Sequence, residues 1–132
     1  MLVVTPAYAA LMGLVFMLLS VRTLLLRRKL KIGIGDGKNL EMLRAMRVHA
    51  NFAEYVPITL ILVVILEINQ ASPLLLHALC TCLLAGRLLH AFGVRRVNEN
   101  YKYRVCGMAL TFTSLGFAIL ANLFISATSI FV

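Results

Sequence analysis

The 28 residues from Val105 to Val132 contain no charged side chain, and that single fact leaves the chain few folds. At about 1.5 Å of rise per helical residue, such a stretch exceeds the roughly 20 residues that cross a hydrocarbon layer about 30 Å thick. Residues 1–21 also lack a charged side chain. A secretory signal would begin with basic residues and hold a core of only ~7–15 apolar ones, so this stretch reads as a retained span. Composition agrees. The chain is 61% apolar and 14% charged over 132 residues, against roughly 45–50% and about 25% in soluble domains. A disordered chain would be poorer in apolar residues and richer in charge. The net charge of +8 does not point to nucleic acid, because the chain has too little soluble surface to display it, and no nucleic-acid partner is expected.

Four spans are predicted within one domain, 1–132: residues 1–26, 40–68, 74–94 and 105–132. The fold class is therefore all-α, an integral-membrane four-helix bundle. Arg27-Arg28-Lys29, Lys31, Gly33, Gly35, Gly37 and Lys38 predict a helix break and a surface loop. Arg95, Arg96, Lys102 and Arg104 mark the third link, whereas the second has no Lys or Arg. Basic residues in short loops stay on the cytosolic side, so loops one and three are expected there, with both termini outside.

Each ionisable group inside a span costs about 2.5–3.5 kcal/mol on insertion scales and needs a reason. The second span carries Arg44, Arg47, His49, Asn51 and Glu54 in its first half, followed by Tyr55. At 100° per residue, with Arg47 as zero, Asn51 falls at about +40°, Glu54 at about −20°, Arg44 at about +60° and Tyr55 at about +80°. His49 falls on the opposite side. The stripe is either an internal polar network tying helices together or a ligand site. A ligand would bring carboxylates for the arginines and an amine for Glu54. The third span adds Arg87 and His90 on one face, with Arg87 close enough to the basic end to snorkel to it. His77 reads as interfacial. Arg104 reads as an aromatic-flanked anchor beside Tyr101 and Tyr103, or as a cation able to stabilise an anion in a partly desolvated cleft. Cys80, Cys82 and Cys106 lack zinc spacing and read as buried, inert thiols, so no metal is expected.

The string Arg47-Val48-His49-Ala50-Asn51-Phe52-Ala53-Glu54-Tyr55-Val56-Pro57 resembles the second-helix signature of the MAPEG family, the membrane-associated proteins in eicosanoid and glutathione metabolism. Gly86-Arg87-Leu88-Leu89-His90-Ala91-Phe92-Gly93 is similar to the family's third-helix segment. Gly35-Asp36-Gly37 and Glu67 look like its bacterial branch, which implies a bacterial cytoplasmic (inner) membrane. The resemblance covers essentially the whole chain. It implies a homotrimer with glutathione as co-substrate, bound between subunits near the cytosolic face. By position, Arg47, Asn51, Glu54 and Tyr55 match glutathione-contacting residues, Arg87 matches a third-helix arginine near that site, and Arg104 matches the arginine that stabilises the glutathione thiolate. His90 stands where catalytic members tend to have tyrosine and can hydrogen-bond a ligand carboxylate or amide. Val94, at a second such position, cannot.

The chemistry is consistent with that implication. Only a few per cent of a thiol with a pKa of about 8.5 is thiolate at pH 7. Lowering that value by two units takes roughly 2.7 kcal/mol of anion stabilisation, much of which one arginine in a desolvated cleft supplies. The expected function is a glutathione transferase or peroxidase acting on lipophilic electrophiles that enter from the membrane lipids. The alternative is a non-catalytic lipid-binding or interaction protein on the same scaffold, favoured by the missing tyrosines. A small multidrug exporter fits poorly, since Glu54 sits among arginines that repel cationic drugs. Assembly also has a physical motive, because a lopsided polar stripe cannot face lipid. Ala9 with Gly13, and Gly107 with Thr111, are candidate sites of close helix approach. Asn122 is a candidate for an interhelical hydrogen bond.

Overall fold

A computed structural model describes residues 2–95 and 100–130, with side chains to Thr128. Its four helices are α1 (Val4–Leu30), α2 (Leu40–Ile68), α3 (Pro73–Val94) and α4 (Tyr101–Ile130). All four are long and apolar enough to cross a membrane. The apolar surface confirms that reading: Leu11, Leu14, Met17 and Leu18 on α1, and Phe117, Leu120, Leu123 and Phe124 on α4, all point outward. In water such a surface would drive aggregation, whereas in lipid it costs nothing.

The two central helices, α2 and α3, pack on each other; α1 covers one side of the pair and α4 the other, and among the described residues α1 and α4 do not pack together. Tightest of all is the seam between α3 and α4, where glycines let the backbones meet. A Cβ on Gly107 would lie 2.6 Å from the His90 backbone nitrogen and 2.7 Å from the Gly86 carbonyl oxygen. One on Gly93 would lie 2.8 Å from the Arg104 nitrogen. Dispersion and close backbone approach replace the hydrophobic drive that water would otherwise supply. Gly107 thus serves as expected, whereas Gly13 brings no other helix of the same chain close, since a Cβ there would meet nothing within 4 Å. Asn122 makes the expected cross-helix bond, its Nδ2 donating to the Leu62 carbonyl at 3.0 Å.

Two boundaries differ from the sequence reading. The basic run Arg27-Arg28-Lys29 is the last turn of α1, not a helix-breaking loop. Cations at a helix C-terminus are favoured by the macrodipole, so the cluster finishes the helix rather than interrupting it. Termination falls to Lys31, whose left-handed backbone (φ 54°) folds the chain back so that Ile32 N–H donates to the Arg27 carbonyl at 3.0 Å, as in a Schellman-type end. Likewise α4 begins at Tyr101 rather than residue 105. Asn100 Oδ1 accepts the Lys102 N–H at 3.1 Å, and Arg104 becomes a first-turn residue. Asn39 caps α2 through the Met42 N–H at 3.0 Å, and Ser72 with Pro73 starts α3. Helix α2 continues through Pro57.

At the end of the bundle away from the basic loops, α1 opens on Val3, which has no side-chain cap of its own. Glu67, from the last turn of α2, supplies one. Its Oε1 accepts from the Val3 and Val4 N–H groups, the latter at 2.7 Å, and its Oε2 accepts from Thr5 N–H at 2.8 Å. A carboxylate there satisfies three orphan donors and complements the positive end of the helix.

A polar cavity among three helices

At the basic end, α2, α3 and α4 diverge around a cavity of about 440 Å³. Its wall contains Arg44, Arg47 and Asn51 from α2, His90 and Val94 from α3, and Arg104 and Met108 from α4, with Leu40 and Leu43 closing one side. Helical spacing explains the contribution of α2: residues three or four apart share a face, so positions 44, 47 and 51 present one row. The first turns of α2 (Leu40, Leu43) and α4 (Arg104) both border this space, so two helix N-termini add positive potential to three guanidiniums. The arrangement suits an anion with several acceptor atoms.

Arg47, Asn51, His90 and Arg104, all singled out from sequence, thus meet in one place. Arg104 also lies over the Tyr101 ring, 5.5 Å from its centroid. The other three candidates are placed differently. Glu54 lies on the exposed face of α2 beside the cavity rather than in its wall. Tyr55 stands one turn deeper, packed edge-on against Phe112 at 5.3 Å between centroids. Arg87 neither snorkels nor lines the cavity: it is 1% exposed in the centre of the bundle. Its Nη1 donates to Asn51 Oδ1 at 2.7 Å and its Nη2 to Thr111 Oγ1.

Arg44, placed on the stripe by its spacing but not among the residues that the resemblance assigned to glutathione, also lines the cavity, and its Nη1 reaches the Val94 carbonyl at 3.4 Å. Its angle of about +60° on the wheel, close to that of Asn51, was the available signal. Met108 had no comparable signal in so apolar a helix, and Thr111 was singled out only for close helix approach. His49 faces away, as its angle predicts, with Nε2 2.9 Å from Ser20 Oγ and its ring stacked on Phe16. His77 lies at the opposite end, exposed, 3.2 Å from the Tyr8 hydroxyl. Cys80 is buried, but Cys106, expected to be buried, is exposed on α4. Its position faces outward, where lipid is an acceptable neighbour for a thiol. Among the described residues no group of three or more His, Cys, Asp or Glu side chains is placed to hold a metal ion. Arg96 lies outside the described residues.

Comparison with known proteins decides the family. Residues 5–124 match the sequence profile of the MAPEG family. The chain belongs to that family. It is also similar to the inner membrane protein YecN of Escherichia coli strain K12, with 36% identity over 120 residues, 91% of this chain and 90% of that protein. YecN of E. coli O6:H1 strain CFT073 matches to the same extent. No solved structure matches the chain. Within this MAPEG protein, the second-helix string that carried the resemblance gives the cavity wall two residues, Arg47 and Asn51.

Proposed function

We propose that this MAPEG protein binds glutathione in the cavity bordered by Arg44, Arg47, Asn51, His90 and Arg104, and uses it as a transferase or peroxidase against lipophilic electrophiles. The convergence of three guanidiniums on one cavity is the observation that carries this reading. Glutathione offers two carboxylates to such a set, and its thiol can sit beside Arg104 at the start of α4, where the helix dipole and the guanidinium both favour the thiolate. The apolar neighbours Leu40, Leu43 and Val94 lower the local dielectric and strengthen that preference.

The working unit in this proposal is a homotrimer in a bacterial inner membrane, with the cavity opening to the cytosol and both termini outside. The asymmetry of Lys and Arg between the links supports the orientation, and the name of the E. coli relatives supports the compartment. Glu54 and Arg47 are both exposed on α2. A neighbouring subunit would cover them and offer the site an edge, from which Glu54 meets the ligand amine.

A second reading, a non-catalytic lipid-binding or interaction protein, draws on His90 and Val94, which line the cavity where catalytic members tend to carry tyrosines. Titration of glutathione into the detergent-purified protein, followed by thiolate absorbance in the ultraviolet, separates the two. Saturable binding with a thiolate signal near pH 7, lost in Arg104→Ala, supports the transferase reading. Absence of binding at millimolar glutathione overturns it in favour of the second.

A further inference from the structure

Arg87 carries a positive charge into the middle of the bundle, and the partners it finds there are neutral. Nη1 donates to Asn51 Oδ1 at 2.7 Å and to the Asn51 backbone carbonyl at 3.3 Å. Nη2 donates to Thr111 Oγ1 and to Met108 Sδ at 3.3 Å, and the Tyr55 ring lies beneath the guanidinium at 5.7 Å. Thr111 in turn donates to the Gly107 carbonyl at 2.8 Å, so its oxygen has only lone pairs left for Arg87. A buried charge held this way is expensive, and a carboxylate would answer it better.

The chemistry of the two side chains dictates what the arrangement does. A guanidinium only donates, and a carboxamide has one accepting atom. Arg87 therefore commits the Asn51 oxygen inward and leaves Asn51 only its Nδ2 donors for the cavity that it lines. We infer that Arg87 is a positioning residue that fixes Asn51 as a hydrogen-bond donor, so that the cavity selects ligands by their carboxylate acceptors. The selectivity part rests on the glutathione reading above, whereas the Arg87–Asn51 geometry stands without it.

Asn51→Asp separates the two roles of that residue. An aspartate gives Arg87 a counter-charge but presents an accepting, negative oxygen to the cavity. The expected result is a raised thermal midpoint in detergent together with at least a tenfold loss of glutathione affinity. Arg87→Met alone should also weaken glutathione at least tenfold, because the Asn51 carboxamide is then free to turn over. In an Asn51→Ala background the same substitution should change affinity less than twofold, a non-additivity that general loosening of the bundle would not produce. A midpoint for Asn51→Asp that stays or falls overturns the inference, as does a full Arg87→Met effect in the Asn51→Ala background. If the wild type takes up no glutathione, the proposed function fails, and the Asn51→Asp midpoint still decides the positioning role.

Discussion

The two ends of the bundle handle the same electrostatic problem in different ways. At one end the N-terminus of α1 exposes backbone donors, and Glu67 answers three of them from within the chain. At the other end the first turns of α2 and α4 border a cavity whose wall brings Arg44, Arg47 and Arg104 together, so positively charged groups gather around one space. Neutralisation of a helix end by a carboxylate of the same chain is a stability device. On the proposed function, the arginines gathered around the cavity are a binding device instead. On that reading the polar groups at the two ends of one small bundle serve different purposes, and mutation should separate them.

The largest separation is expected at the cavity. Arg47→Ala should reduce glutathione affinity by about tenfold to a hundredfold, the loss of a charge-assisted contact worth roughly 1.5–3 kcal/mol. Its thermal midpoint should stay near that of the wild type, because Arg47 is exposed. Calorimetric titration with parallel thermal unfolding reads both. A midpoint that falls together with affinity would make the arginine row structural and erase the contrast between the ends.

Gly107→Ala should instead damage both properties. The added methyl meets backbone atoms of His90 and Gly86 at 2.6 and 2.7 Å, which cannot rotate away. Forcing α4 off α3 costs about 1–3 kcal/mol and moves Arg104 relative to His90, so binding weakens as well. Retained affinity in a destabilised Gly107→Ala protein would show that α4 contributes little to the cavity.

Glu67→Ala is the converse of Arg47→Ala. Losing an inter-helix cap costs about 1–2 kcal/mol, read as a lower thermal midpoint, while glutathione affinity should be unchanged within about twofold. Reduced affinity in this variant would mean that the two ends are coupled through α2.

How much of this was legible in the sequence follows from which interactions are local. The row of Arg44, Arg47 and Asn51 lies within two turns of one helix, so its angular position fixes it before any packing is known. His49 was separated from that row by the same arithmetic. Arg87 was not legible, because snorkelling and burial look identical along a chain; only the meeting of α2, α3 and α4 distinguishes them. Glu67 was noticed solely as part of a resemblance, since its partners Val3, Val4 and Thr5 lie more than 60 residues away and are backbone groups that leave no mark in side-chain pattern. The end of α1 was misplaced for a related reason. Arg27-Arg28-Lys29 read as a break, yet the stopping residue is Lys31 in a left-handed conformation, and a lysine gives no warning of that.

The smallest expected effect tests the outer wall rather than either end. Gly13 lies in α1 with room for a Cβ on every side within the chain, so Gly13→Ala should stabilise α1 by about 0.5–1 kcal/mol through helix propensity alone. Such a rise, independent of protein concentration, means that this face of α1 meets only lipid or detergent. A fall that deepens on dilution would mean that the face is already filled by another subunit packed too closely for a methyl group. The proposed assembly would then have its contact on α1.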